Sequence, residues 1–173
     1  MKSVENLNGW TYETFDRNTP ASDFGIFGSL ITLWKSKWVS DALPAWRDFT
    51  FEDFAGWYGW LYVEDLIPGG NGDARYRLWG TNITNIFQVD LTGKCMSETE
   101  PGFIDPVEYK LNMKNAEEGN ILHGTGPIHW QERLHKTVAF IELPLADDGF
   151  NVDKFLGGLR DITPDAQGDS SFR

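Results

Sequence analysis

The sequence predicts an α+β fold in which one antiparallel sheet of five strands carries helices on one face. Five strand-like runs lie between residues 57 and 163, and turns rich in Gly, Pro or Asp separate them. The helical patterns of this region fall between the second and third runs, at 81–118, and an amphipathic helix precedes the sheet. With 173 residues, 40% of them hydrophobic, the chain has enough apolar material for the core of one domain with extensions.

Residues 1–42 are predicted to form an arm and a helix. The first 20 residues mix polar and aromatic side chains without a period, which indicates an irregular arm. Ser22 or Asp23 can cap the helix that follows. Its large apolar side chains are three or four residues apart: Phe24, Phe27, Ile31, Trp34 and Trp38. We expect this stripe to dock on the sheet of its own chain, and the remainder of it, among Phe27, Ile31, Trp34 and Trp38, to contact a protein partner or a second copy in a homodimer.

The predicted sheet begins after Pro44, which ends the preceding helix, and after a short helix capped at Thr50. The first strand covers 57–66 and carries apolar bulk on both sides, so both faces should be covered. The turn 68–73 joins it to an antiparallel second strand that ends at Trp79.

Two helices and three strands complete the prediction. Thr81 or Asn82 caps a short helix, and Asp105 with Pro106 begins a longer one that ends near Gly119. Three further strands are predicted at 120–130, 132–145 and 151–162, and a polar tail follows at 164–173.

Three segments resemble PAS domains, the small sensory modules of signalling proteins. Residues 75–94 form an apolar strand, a short helix ending in Ile86-Phe87, and then Gly93-Lys94, like the second strand and first helices of that family. Residues 155–163 end in Asp161-Ile162-Thr163, as many PAS domains do, and residues 43–49 are similar to the lead-in of short stand-alone bacterial PAS proteins. The linker between Phe87 and Gly93 is shorter than in typical PAS domains, so the helices there should be abbreviated.

The resemblance divides the chain into an arm with an amphipathic helix, 1–42, a PAS-like domain, 43–163, and a mobile tail, 164–173. It implies a PAS-like five-stranded sheet and a stand-alone sensor or adaptor of bacterial signal transduction, which binds a small molecule, a signalling protein, or both. The predicted ligand-binding residues are Trp79, Thr81, Tyr109, Met113, His123 and Thr125. Asp161 and Thr163, at the end of the last strand, would couple ligand occupancy to the partner. Alternatively, the many aromatic side chains simply fill the core.

The composition argues against some classes of partner and indicates where in the cell the protein is located. A net charge of −11 repels phosphate groups, which argues against binding to nucleic acid or to anionic lipid. No apolar run is long enough to span a membrane, and the first residues lack the pattern of a signal peptide. The single cysteine, Cys95, gives no disulfide framework and no zinc cluster. We therefore expect a cytoplasmic protein.

No motif in the sequence identifies a cofactor. His123, His129 and His135 do not have the spacing of metal ligands, so no metal is predicted. Haem is disfavoured because helix 105–119 contains no histidine of the kind that haem-binding PAS domains use. Flavin is disfavoured because the residues beside Cys95 do not match the light-sensing PAS motif.

The sequence shows no catalytic motif, and the chain is predicted not to be an enzyme. The alternative is a small cone-shaped α+β enzyme that resembles nuclear transport factor two, with His123 and Asp105 as a general acid and base. In that fold most helices precede the sheet. The position of the helices at 81–118 favours the PAS interpretation.

Overall fold

The computed structural model describes residues 3–99, 106–129 and 135–164. Within these ranges, seven strands form one antiparallel sheet. The strands are β1 Ser3–Leu7, β2 Trp10–Phe15, β3 Leu61–Leu66, β4 Ala74–Trp79, β5 Ile121–Pro127, β6 Thr137–Leu145 and β7 Lys154–Asp161. The α-helices of the described residues are α1 Gly28–Ser36, α2 Thr81–Phe87 and α3 Pro106–Glu118. The order across the sheet is β1-β2-β5-β6-β7-β3-β4.

Strands β3 to β7 form the sheet that the sequence predicts. They pair antiparallel, and α2 and α3 lie between the second and third of them in the chain. Positive φ angles at Gly69, Asn71 and Gly72 allow the chain to reverse between β3 and β4. The α+β class and the predicted placement of the helices between the second and third strands of the five are thus present in this part of the chain.

The prediction of an irregular N-terminal arm is wrong, because residues 3–15 form the hairpin β1–β2. Asn8 and Gly9 both have positive φ angles, 51° and 82°, as a two-residue hairpin turn requires. Strand β2 pairs with β5 and extends the sheet from five strands to seven. The hairpin was missed because β1 is largely exposed and has no apolar alternation.

The amphipathic stripe lies on two helical segments, the 3-10 segment Ala21–Phe27 and α1, instead of one continuous helix. Gly25, with a φ angle of 51°, interrupts the 3-10 segment. Phe27, Ile31 and Trp34 are at most 1% exposed. The indole Nε1 of Trp34 donates a hydrogen bond to the carbonyl oxygen of Pro144 at 2.9 Å. The stripe therefore covers the sheet of its own chain, and these three side chains are not available to a partner in this structure.

Trp38 follows α1 and is half-buried. Its ring meets that of Trp34 edge to face at 4.8 Å. It is the member of the predicted partner surface that keeps some exposure.

The two faces of the sheet carry separate cores, since side chains alternate along each strand. Helix α1 and its neighbours cover the first face, which includes Leu61, Val63 and Ile141. Helices α2 and α3 cover the second face, which includes Tyr62 and Phe140. The expectation that both faces of the first strand of the domain are covered is confirmed.

Candidate functional site

A cavity of about 70 Å³ lies on the second face of the sheet, beside α2 and α3. Side chains of both polar and aromatic character line it: Trp10, Tyr62, Glu64, Tyr76, Trp79, Phe87, Glu108, Phe140, Glu142 and Leu159. Strands β2, β3, β4, β6 and β7 supply most of this lining, and each helix adds one side chain. The lining is therefore built by the sheet.

Two glutamates in the cavity wall are almost completely buried. Glu64 is 2% exposed and Glu142 is 7% exposed. The Tyr62 hydroxyl donates a hydrogen bond to Oε1 of Glu142 at 3.0 Å. Within the described residues, Oε2 of each glutamate has no hydrogen-bond partner. Buried polar atoms are rarely left in this state, which makes the pair a candidate for ligand contact.

Burial makes ionisation of these two carboxyl groups costly. Burial raises the pKa of Glu142 to about 7, although the hydrogen bond from Tyr62 opposes the rise. Burial and then the charges of Glu142 and Glu108 raise the pKa of Glu64 well above its usual range. Burial also raises the pKa of the phenols of Tyr62 and Tyr76. Each of these four groups therefore favours its protonated form more strongly than it would in water, as buried acidic groups close to one another do.

A third carboxylate, Glu108 near the start of α3, also lines the cavity. Its Oε1 accepts a hydrogen bond from the Tyr12 hydroxyl at 3.2 Å. Within the described ranges, no Lys, Arg or His side chain lines the cavity. The ionisable side chains among these described lining residues are thus all acidic.

Glycines on the strands make room for the aromatic rings of the lining. A Cβ atom at Gly157 would overlap the ring of Tyr62, and one at Gly124 would overlap the ring of Phe140. These rings lie flat on the sheet because no side chain stands between them and the backbone. The absence of Cβ atoms therefore shapes the floor of the cavity.

An irregularity in the pairing of β3 with β4 brings Tyr76 and Trp79 to the same face. Val63 pairs with Leu78 and Glu64 pairs with Tyr76, so β4 has one extra residue between these pairs. Without it, residues 76 and 78 would share a face. The Tyr76 and Trp79 rings are 4.9 Å apart, and the Trp79 indole donates to the carbonyl oxygen of Val89 at 3.0 Å, which holds its ring in place.

The structure brings one of the six predicted ligand-binding residues, Trp79, into the cavity wall. Thr81 is exposed at the start of α2, and Met113 is 40% exposed on α3. Tyr109 is half-buried and is not among the lining residues. The buried face of α3 instead includes Leu111, Asn112 and Asn115.

His123 and Thr125 lie on the opposite face of the sheet. The His123 ring is 5.7 Å from that of Phe27, and its Nδ1 is 3.0 Å from Oε2 of Glu13. Thr125 pairs with Ala139, which belongs to the core under α1. His123 thus meets Glu13, whereas Asp105, the partner that the enzyme interpretation gave it, lies outside the described residues.

Sequence reasoning missed Glu64 and Glu142 as site residues. Glu142 interrupts an otherwise apolar run, from Val138 to Leu145, on the strand predicted at 132–145. A carboxylate in the middle of such a run must be buried, and a buried carboxylate needs a partner. A carboxylate within an apolar run was thus the sequence pattern that could have identified Glu142 as a site residue.

The two predicted coupling residues lie where the end of β7 meets the start of β6. Asp161 forms an ion pair with Lys136 at 2.8 Å and accepts a hydrogen bond from the Thr163 amide at 2.9 Å. The Thr137 amide donates to Oγ1 of Thr163 at 3.0 Å. These contacts fix the end of the strand that carries the cavity residue Leu159.

Comparisons with known proteins identify no family. No family model matches the chain, and no curated protein matches it. One solved structure similar to this chain is that of an RNA-binding light-oxygen-voltage receptor, with a TM-score of 0.47 and 13% sequence identity. The alignment covers 60% of this chain and 29% of the receptor chain, so this chain spans under a third of its length. At this similarity the match carries no argument about this chain.

A membrane-spanning helix and a metal-binding cluster are both absent from the described part of the chain. No helix there has the length and apolar character that crossing a membrane requires. No group of three or more His, Cys, Asp or Glu side chains in those ranges is arranged to hold a metal ion.

Proposed function

We propose that this chain is a PAS-type sensory module that binds a small molecule in the cavity beside α2 and α3. It acts by binding and not by catalysis, in the cytoplasm, and its output goes to a signalling protein or to a second copy of the chain. The observation that supports this most strongly is the buried, polar and aromatic cavity, because concave sites with a few convergent polar groups are typical of ligand binding.

The site supports a mechanism in which occupancy selects one packing of the helices on the sheet. A ligand in the cavity contacts Glu108 on α3 and Leu159 on β7 at the same time. If the ligand binds more tightly when α3 is in one of two positions, its binding raises the population of that position. Strand β7 carries that difference to Asp161 and Thr163, two and four residues beyond Leu159.

Native mass spectrometry of protein purified from its own host tests the proposal, with an absorption spectrum of the same sample. We expect the wild type to retain a small molecule and the Gly157→Ala variant to lose it, because the added methyl group displaces the Tyr62 ring into the cavity. The spectrum reports whether that molecule is coloured, as haem and flavin are.

Gly158→Ala is the matched control, since a Cβ there meets Leu30 and Trp57 on the other face of the sheet. It should cost stability and leave the bound mass unchanged. A wild type that retains no mass and whose cavity residues respond to no small molecule would contradict the proposal. Equal loss in the two variants would place the ligand outside this cavity.

A further inference from the structure

We propose that the cavity binds the ammonium group of a small organic amine, with Glu64 and Glu142 as counter-ions and aromatic rings as walls. This inference rests on the proposed function of the cavity as a ligand site. It adds the chemical class of the ligand.

The charge of the lining residues favours an amine over an anionic ligand. The ionisable groups that line the cavity are Glu64 and Tyr62 on β3, Tyr76 on β4, Glu108 on α3 and Glu142 on β6. None of these becomes a cation. An anionic ligand would therefore find no countercharge among the described lining residues, whereas an ammonium ion would offset the cost of ionising the buried carboxyl groups.

Hydrogen bonding points the same way. Oε2 of Glu64 and Oε2 of Glu142 are buried acceptors without a partner within the described residues. An ammonium group supplies N–H donors and positive charge together, and charge-assisted hydrogen bonds to carboxylates are the stronger kind. The ligand thus provides what these two oxygens lack.

The remaining walls are suited to an organic cation. Trp79 lies between three other rings, with centroids 4.9 Å from Tyr76, 5.8 Å from Phe87 and 5.9 Å from Tyr62. The faces of aromatic rings attract cations, and the rings also cover the alkyl part of an amine. An inorganic cation would leave these apolar surfaces without contact.

The volume limits the size of the bound group. A cavity of about 150 Å³ holds benzene, whereas this cavity measures about 70 Å³. At the same volume per atom, roughly three non-hydrogen atoms of the ligand lie inside, and because the cavity is only partly enclosed the remainder of a larger ligand extends outwards. A short alkylammonium ion, or the end of a longer amine, has this size.

The test is an NMR titration of the full chain with isopropylammonium and, separately, with 2-propanol. The two probes have the same size and shape and differ in charge. We expect isopropylammonium to shift the Trp79 indole resonance and to bind at least tenfold more tightly than 2-propanol. Glu142→Gln and Glu64→Gln should each weaken isopropylammonium binding at least tenfold and leave 2-propanol unaffected.

Glu117→Gln controls for nonspecific attraction, because Glu117 is exposed on α3 and the whole chain carries a charge of −11. This variant should bind isopropylammonium like the wild type. Both cavity substitutions remove a buried ionisable group and leave an amide of the same shape, so we expect each variant to fold. The NMR spectrum of each variant without ligand tests whether it does.

Three results would overturn the inference. Equal affinity for the alcohol would exclude a cation-selective site but would preserve the cavity as a ligand site. Shifts that persist in Glu142→Gln and Glu64→Gln would place the cation on the acidic surface. The absence of any shift at the cavity would exclude the amine class, and the mass-spectrometric experiment would then decide separately whether the cavity holds another ligand.

Discussion

Tyr62 and Glu142 are hydrogen-bonded at 3.0 Å although their strands are not neighbours in the sheet. Strand β7 lies between β3 and β6, and its residue Gly157 pairs with Tyr62 on one side and with Glu142 on the other. The Tyr62 ring crosses over Gly157, where a Cβ atom would overlap it. A single glycine therefore makes the contact between the phenol and the buried carboxyl group possible.

Replacing Tyr62 by Phe should raise the pKa of Glu142 above its value of about 7, because the hydrogen bond from Tyr62 lowers that pKa. The measurement is a carbon-13 NMR titration of the glutamate side-chain carboxyl groups. Tyr58→Phe is the control, since Tyr58 is 45% exposed and does not line the cavity. An unchanged or lower pKa in Tyr62→Phe would contradict the assigned hydrogen bond.

The stability of the ligand-free protein should contain a component that falls as the pH rises from about 4.5 towards 7. The pKa of an ordinary glutamate carboxyl group, as in the unfolded chain, is 4.5, whereas the pKa of Glu142 in the folded chain is about 7. Between these values the unfolded chain has lost a proton that the folded chain retains, so raising the pH favours unfolding. The shift corresponds to roughly 3 kcal/mol when it is complete. Glu64, whose pKa is also raised by burial, contributes a component of the same sign.

Urea unfolding of wild type and Glu142→Gln between pH 5 and pH 8 measures this component. The variant should gain stability relative to the wild type as the pH rises. The Asp148 carboxyl, with a pKa lowered to about 2 by hydrogen bonds from Asn151, acts at lower pH and does not interfere. A difference between the two proteins that does not change with pH would contradict the prediction.

Trp34→Ala should lower the free energy of unfolding by about 3–5 kcal/mol, because it removes a fully buried indole and its hydrogen bond to Pro144. Phe150→Ala, at a side chain that is 79% exposed, should change it by less than about 0.5 kcal/mol. Chemical denaturation compares the two. A small effect of Trp34→Ala would mean that the stripe is not part of the core. The stripe would then again be a candidate surface for a protein partner.

Asp161→Ala should speed hydrogen exchange at the amides of Thr137 and Thr163, because Asp161 orders the turn that Thr163 makes onto β6. The loss of global stability should stay near 1 kcal/mol or less, since the ion pair with Lys136 is partly exposed. Asp148→Ala is the matched control and should affect Phe150 and Asn151 instead. Unchanged exchange at Thr163 would argue against Asp161 as a coupling residue.

Local patterns in the sequence were sufficient to predict β3 to β7 and α3. Turn residues such as Gly69, Asn71 and Gly72 mark the end of a strand through their own backbone preferences. The Asp-Pro start predicted the beginning of α3, which runs Pro106–Glu118. These features depend on neighbours in the chain, and the sequence contains them directly. The Asn8-Gly9 turn was of the same kind and could have been used.

The faces of the strands were only partly predictable. Strict alternation puts Tyr62 and Glu64 on one face, as in the structure, because β3 is regular in its first residues. It could not place Tyr76 with Trp79, since the extra residue in β4 shifts the alternation. Nor could it assign His123 to the face under α1, because a change of one residue in register moves a side chain to the other face.

The cavity itself was decided by the tertiary structure. Residues about 80 positions apart, such as Tyr62 and Glu142, meet only because β6, β7 and β3 are adjacent in the sheet. The sequence by itself determined β3 to β7, the helices between them and their order, through backbone geometry and local hydrophobic periodicity. It did not determine which carboxyl groups share one buried space, because that depends on pairing between distant strands and on a glycine that lets one ring cross another strand.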